Sequence, residues 1–195
     1  MPKQFNYPGV FEFLGRERTV LILALVFSVA CTVTGILLPH DIQRLFMEPL
    51  MAKFQGMEFS VPGIFLNNLK SSGIIVLGGF ILSIVSVIMT GINFIVLGSA
   101  MNYFAPERTP VEMLAMLIPH GILEIPAIIL SLICGAYITK AIVFRMSTQP
   151  GSNERASDYL LRAAALFIMV IVPLLAAAAL VEVFVSPHIA ALAIK

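Results

Sequence analysis

Five runs of this chain are so long, so apolar and so poor in charge that lipid, not water, must surround them. The first covers residues 19–38 and contains no charged residue. A bilayer core about 30 Å thick is crossed by about 20 residues of α-helix. Arg16, Glu17 and Arg18 precede the run, and Pro39-His40-Asp41 follows it. Its apolar stretch is longer than the roughly 7–15 residues of a signal-peptide core, and no A-x-A cleavage site follows, so it reads as a retained span. Composition points the same way. Apolar residues make up 59% and charged residues 12% of the chain, against about 45–50% and about 25% in soluble domains. A mean hydropathy of +0.98 excludes both a soluble globule and a disordered chain.

The second uncharged stretch, residues 71–106, lies between Lys70 and Glu107. It is too long for one helix of ordinary tilt and just enough for two. Thr90-Gly91-Ile92-Asn93 is the turn-like punctuation near its middle, which predicts spans over 70–89 and 92–105. A fourth run covers 118–143, interrupted by Pro119, His120, Glu124, Pro126 and Lys140. The last covers 163–185 and contains Pro173 and Glu182. Between these two, a loop over 144–162 carries Gln149-Pro150-Gly151-Ser152-Asn153, the clearest turn signal in the chain. The expectation is one all-α membrane domain over 1–195, a bundle of five helices.

Charge tests the number of spans. With five spans and a cytoplasmic N-terminus, the inside holds Lys3, Arg16, Arg18, Lys140, Arg145, Arg155 and Arg162, seven basic residues. The outside holds five: Arg44, Lys53, Lys70, Arg108 and Lys195. Treating 71–106 as one span would reverse that split. The positive-inside bias therefore favours five spans in a cell membrane, with the C-terminus outside. The shortness of 92–105 argues for partial crossing, but charge argues for full crossing and is followed here. The segment over 40–66 reads as outer and interfacial. Within it Ile42, Leu45, Phe46, Leu50, Phe54 and Met57 fall near helical spacing, with Arg44, Glu48, Lys53 and Glu58 between them. That suits a helix broken near Pro49, lying on the membrane surface or packed on the bundle. Phe5, Tyr7, Phe11 and Phe13 are expected to anchor the N-terminus at the inner interface.

Ionisable groups at membrane depth cost roughly 2.5–3.5 kcal/mol each, so each needs a partner or a wet cavity. The candidates are His120, Glu124 and Glu182, with Asn67, Asn68 and Asn93 as neutral companions. His120 and Glu124 are four apart and share a helix face. Pro119 suits a first helical turn. Pro126 removes a backbone donor and leaves the carbonyl near Ile122 to be satisfied by neighbours or water. The element from Pro119 through His120, Gly121 and Glu124 to Pro126 thus reads as a hydrogen-bonded polar core. Glu124 and His120 would bond each other, Asn93 or Glu182. A polar groove for an ion, lipid or partner and a metal site are the alternatives. His-x-x-x-Glu is not the His-Glu-x-x-His of zinc proteases, and no metal or cofactor is expected. Gly79, Ser83, Ser86 and Thr90 form a small-residue stripe, expected to pack helices within the bundle, a homodimer seam being the alternative. Ala176 to Ala179 offer a similar smooth face. Cys31 and Cys134 sit in apolar runs as reduced thiols, and a net charge of +1 excludes an ordinary nucleic-acid binder.

Several of these elements recur together in one family. Phe65-Leu66-Asn67-Asn68, Ser72-Gly73-Ile74, Gly78-Gly79, Gly91-Ile92-Asn93, Gly98 and above all Pro119-His120-Gly121 with Glu124 and Pro126-Ala127 resemble the stage II sporulation protein M family. The likeness covers most of the chain, about residues 20–185. It implies an integral membrane protein. The family's founding member is needed for engulfment in spore formers, where it holds two peptidoglycan-degrading proteins without being a hydrolase. The family is also distantly similar to permease subunits of ABC exporters. The Met-rich segment over 39–70 departs from the family pattern where partners would dock. The expected function is a non-enzymatic membrane scaffold for other membrane or envelope proteins, in contact with membrane lipids. A permease-like subunit is the alternative, and an intramembrane metalloenzyme a third reading.

Overall fold

A computed structural model describes residues 14–15, 17–55, 60–107, 109–146 and 155–193. Phe5, Tyr7, Phe11 and Phe13, the loop signal at 149–153 and the side chains of 113–120 lie outside the described residues. Among those described, every element is helical and none is a strand. In chain order they are α1 (Arg18–Leu37), α2 (His40–Gln55), α3 (Val61–Leu77), α4 (Ile84–Phe104), α5 (Pro110–Met146), α6 (Ala156–Leu166), α7 (Val172–Phe184) and α8 (Ser186–Ala193). Five stretches are long and apolar enough to cross a membrane: Arg18–Leu37, Val61–Ile81, Ile84–Phe104, Gly121–Met146 and Ala156–Phe184.

The five-span architecture stands, but the boundary between the second and third spans moves. The turn between the second and third spans falls at 78–83, not at 90–93. A short 3₁₀ turn over Gly78–Ile81 ends in Leu82 and Ser83, whose φ angles of 50° and 59° are left-handed. Such a pair costs roughly 1–2 kcal/mol per residue, and nothing in the types Leu and Ser announces it. Hydrogen bonds hold it: Ser86 Oγ donates to Ile75 O (2.6 Å), Thr139 Oγ1 donates to Gly79 O (2.9 Å), and the Ser83 and Thr139 hydroxyls meet at 2.6 Å. Gly91 instead lies inside α4, where a Cβ would touch the Phe27 ring edge at 3.3 Å. It serves packing, and the helix does not break there. The two spans are therefore 21 residues each, and the third crosses fully by length.

Other boundaries shift for local reasons. Pro39 stops α1, because the residue before a proline is pushed to extended geometry, and Leu38 sits at φ −60°, ψ 141°. The α2 helix runs unbroken through Pro49. The carbonyl that Pro49 orphans belongs to Leu45, an exposed position where polar surroundings can satisfy it. The interfacial segment ends earlier than 66, since Ser60 caps α3 by accepting from Gly63 N at 3.2 Å. Thr109 and Glu112 form a reciprocal capping box that starts α5 eight residues before the expected 118. The loop expected over 144–162 shrinks, because α5 reaches Met146 and α6 begins at Ala156. A π-helical turn over Phe167–Ile171 precedes Pro173 and makes room for a ring that a regular helix would crowd.

The central element is α5. Of its most apolar window 56% is buried, against 17% for α1 at the rim. It packs on α1, α3, α4, α6, α7 and α8. Its buried face carries Ala127, Ile133, Cys134, Tyr137 and Ala141. The exposed residues of α1, including Leu25, Val26, Val29 and Val33, are as apolar as the core, the arrangement expected of a surface solvated by lipid.

Among the described residues α1 and α4 share the most extensive contact of any helix pair. A Cβ on Gly35 would strike the Ile95 carbonyl, and one on Gly98 the Thr32 carbonyl. Backbone cannot yield as a flexible side chain does. Ser99 Oγ donates to Gly35 O at 3.2 Å across this seam. Gln43 of α2, fully buried, donates to the same carbonyl at 3.1 Å and to Ile36 O at 3.4 Å, and accepts from Asn102 Nδ2 at 3.4 Å. It thereby satisfies orphaned carbonyls at the end of α1.

Two outcomes are expected from unfolding measurements in detergent. Gly98→Ala should cost at least the roughly 1–3 kcal/mol of overpacking, while Gly73→Ala, which meets open space, should be neutral or stabilising by up to about 1 kcal/mol. Equal effects would mean the α1–α4 seam is looser than described. Gln43→Leu should cost about 1–3 kcal/mol by leaving the Ile36 carbonyl and the Asn102 amide without their partner, Gly35 O keeping Ser99; no loss of stability would show that water reaches them.

Candidate functional site

α3 carries Asn67, Asn68, Ser71 and Ser72, a stripe at i, i+1, i+4 and i+5 that a helix gathers on one side. That side faces α4, α5 and α7, which bring Asn93, Glu124 with Ile128, and Leu175. Together these eight residues line a cavity of about 70 Å³. Pockets for ordinary small-molecule ligands run to roughly 300–1,000 Å³. This one has room for a few waters or one small ion.

Asn68 Nδ2 donates to Glu124 Oε1 across 56 residues of sequence. Asn67 Nδ2 donates to Asn68 Oδ1 at 3.4 Å. The chain of polar groups therefore runs along α3 and across to α5. Glu124 is only 6% exposed, so the residue sits inside the protein and not toward lipid. Asn93 lines the same cavity but spends an amide N–H on Met89 O at 2.7 Å in its own helix.

The sequence-derived residues separate here. Glu124 and Asn93 come together at the cavity. Glu182 is half-buried further along α7 and is not part of the lining. Pro126 is exposed on the opposite side of α5, and a Cβ on Gly121 would meet only the Ile125 Cδ1 at 3.3 Å. The side chains of Pro119 and His120 lie outside the described residues. Gly79, Ser86 and Thr90 are buried within the chain, with Ser83 partly so. They straddle the turn and do not run down one span. A Cβ on Gly79 would strike the Gly135 carbonyl, so this stripe is consumed by internal packing. The same holds for Ala178 and Ala179 of the alanine run. The signal for Asn68 as a partner was present in the polar stripe on α3, but pairing across helices is not encoded in spacing along one of them.

A second polar cluster escaped the sequence reading. Lys140 Nζ meets Glu17 Oε2 at 2.7 Å and lies 5.1 Å from the Tyr137 ring centre. The Tyr137 and Tyr159 rings stack at 6.1 Å, with Phe144 at 5.9 Å and the Arg162 guanidinium 5.8 Å from the Tyr159 ring. These residues tie the start of α1 to the end of α5 and the first turns of α6. Lys140 is thus an end-of-span anchor and not an interruption.

The available chemistry is that of oxygen and amide. Among the described residues no three of His, Cys, Asp and Glu converge. Cys31 and Cys134 are free thiols, and Cys134 Sγ lies 3.4 Å from Ala163 O.

Fold and cavity define a polytopic α-helical membrane protein with a carboxyl–amide centre inside the bundle. The sequence model for stage II sporulation protein M matches residues 20–187, and the chain belongs to that family. An uncharacterised protein of Methanocaldococcus jannaschii is similar at 22% identity over 178 residues, covering 88% of this chain and 95% of that one. No solved structure matches.

The Asn68–Glu124 contact is open to a double-mutant cycle. Glu124→Ala and Asn68→Ala should each destabilise the detergent-solubilised protein, with a coupling energy of about 1–3 kcal/mol. Strictly additive losses would mean that the two groups do not depend on each other.

Proposed function

We propose that this protein is a non-enzymatic scaffold in the cell membrane that anchors other envelope proteins, with its N-terminus inside and its C-terminus outside. Membership of the family supports a membrane protein of that kind, and the balance of seven basic residues against five supports the orientation.

One observation carries the scaffold reading. The α2 helix belongs to none of the spans, yet it is fixed to them. Gln43 and Met47, one turn apart, are at most 1% exposed. Around the rest of the helix Leu45 is 72% and Phe46 51% exposed, with Ile42 between them. A helix held by one face, with exposed Leu45 and Phe46 set among the exposed charges Asp41, Arg44 and Glu48 on the other, is suited to dock a partner at the membrane edge. Pre-organisation of that kind lowers the entropy cost of binding.

Photo-crosslinkers at Leu45 and Phe46, used in native membranes, test this. The expected products are adducts to an envelope protein, lost in Phe46→Glu when the probe is at Leu45, while the melting temperature is unchanged. An impermeant label should reach a cysteine at Leu45 from outside the cell. Adducts to lipid alone would discard the scaffold reading, and stoichiometric recovery of an ATPase subunit would replace it with the permease reading.

A further inference from the structure

We propose that the outward face of α3 docks a transmembrane helix of a partner protein, one that carries a carboxylate at the depth of Lys70. Leu66, Lys70, Gly73, Ile74 and Leu77 fall at i, i+4, i+7, i+8 and i+11 and form one stripe along the helix. Leu66 is 60%, Ile74 36% and Leu77 61% exposed, and Lys70 is exposed between them. A Cβ on Gly73 would meet nothing within 4 Å.

Depth is what makes the lysine unusual. The sequence places it just outside the second span, but with the turn at 78–83 that span runs from Val61 to Ile81 and takes Lys70 inside. Gly79 accepts from Thr139 beside the Lys140–Glu17 pair, and so marks one end of the spans. Lys70 lies nine residues, about 14 Å, further in, close to the middle of a core about 30 Å thick. Lysines near helix ends lift the ammonium to the interface; from mid-span a four-carbon stem does not reach it. Among the described residues Lys70 makes no ion pair.

The counter-charge must therefore come from another molecule, and depth selects which. Lipid phosphates lie at the headgroup level, about 14 Å away along the helix. A second copy presenting the same face would set Lys70 against Lys70, and its span carboxylates Glu124 and Glu182 are buried and half-buried. A carboxylate on a partner's own membrane helix can lie at the same level as Lys70, where neither charge has water to turn to and each is costly alone. Gly73, one turn from Lys70, lets the backbone of that helix come close. Gly35, Gly79 and Gly98 are each pressed against the backbone of a neighbouring helix of this chain, whereas Gly73 is open. Leu66, Ile74 and Leu77 supply apolar contact on either side. The inference rests on the scaffold reading and deepens it, since it assigns the membrane-embedded part of a partner.

Photo-crosslinkers at Leu66 and Ile74 of the full-length protein, used in native membranes, provide the test. The adduct peptide, sequenced by mass spectrometry, should come from a transmembrane segment of another protein with an Asp or Glu within one turn of the crosslink. Lys70→Glu should lower the yield at least about tenfold and Lys70→Arg should retain it. Exchanging the partner's carboxylate for lysine should restore the yield in Lys70→Glu. Gly73→Leu should lower it similarly while the melting temperature in detergent is unchanged, and this variant decides the matter if Lys70→Glu does not insert. Adducts to lipid alone, to a second copy, or to a segment with no carboxylate within a turn would each overturn the proposal. So would protein adducts that Lys70→Glu and Gly73→Leu leave undiminished. Adducts from Leu45 without any from Leu66 or Ile74 would remove the α3 site and leave the scaffold reading standing.

Discussion

In lipid, a backbone N–H or C=O that the protein does not satisfy has no water to turn to. Most irregularities of this bundle are answers to that constraint. The left-handed pair Leu82–Ser83 turns the chain tightly, and Ser86 and Thr139 satisfy the carbonyls of Ile75 and Gly79 beside it. The carbonyls that end α1 are satisfied by Gln43, which arrives from the next helix. Pro173 is accommodated by a single π turn and not by a break. Each device keeps the helices continuous through the bilayer, and continuous helices bring polar residues far apart in sequence to one level.

The same constraint acts on side chains. Glu124 and Asn68 are 56 residues apart and meet because α3 and α5 cross there. The cluster lines a cavity between α3, α4, α5 and α7, with the apolar residues Ile128 and Leu175 in the same wall. Close approach of backbones elsewhere, at Gly35, Gly98 and Gly79, draws the helices tightly enough together for so small a space to be enclosed. The ion pair of Lys140 with Glu17 works at the opposite end of the spans. Both partners are partly exposed, and the pair acts as a positional stop more than as a source of stability.

The architecture was legible in the sequence because hydropathy and charge are long-range averages. Five spans follow from runs of apolar residues, and the odd number from the distribution of Lys and Arg. Turn position was not legible. Thr90-Gly91-Ile92-Asn93 has the composition of a turn, but its glycine is used for contact with Phe27, whereas the actual turn uses Leu82 and Ser83. Glycine in a membrane helix signals proximity as often as it signals a bend. Glu124 was identifiable from the cost of burying a carboxyl in lipid. Its contact with Asn68 was not, since that residue lies on another helix. The Lys140 cluster escaped for a related reason: Glu17 just before α1, Tyr137 of α5, and Tyr159 and Arg162 of α6 are far apart in sequence, and none is unusual alone.

The attachment of α2 has a mechanical corollary. Gln43 holds the Gly35 carbonyl, which also accepts from Ser99, and it holds Asn102 of α4. A force that lifted α2 off the bundle would therefore load the α1–α4 seam at a point where Gly35 and Gly98 leave no slack. Tension on this outlying helix would not be dissipated in a flexible tether. It would travel directly into two transmembrane rods.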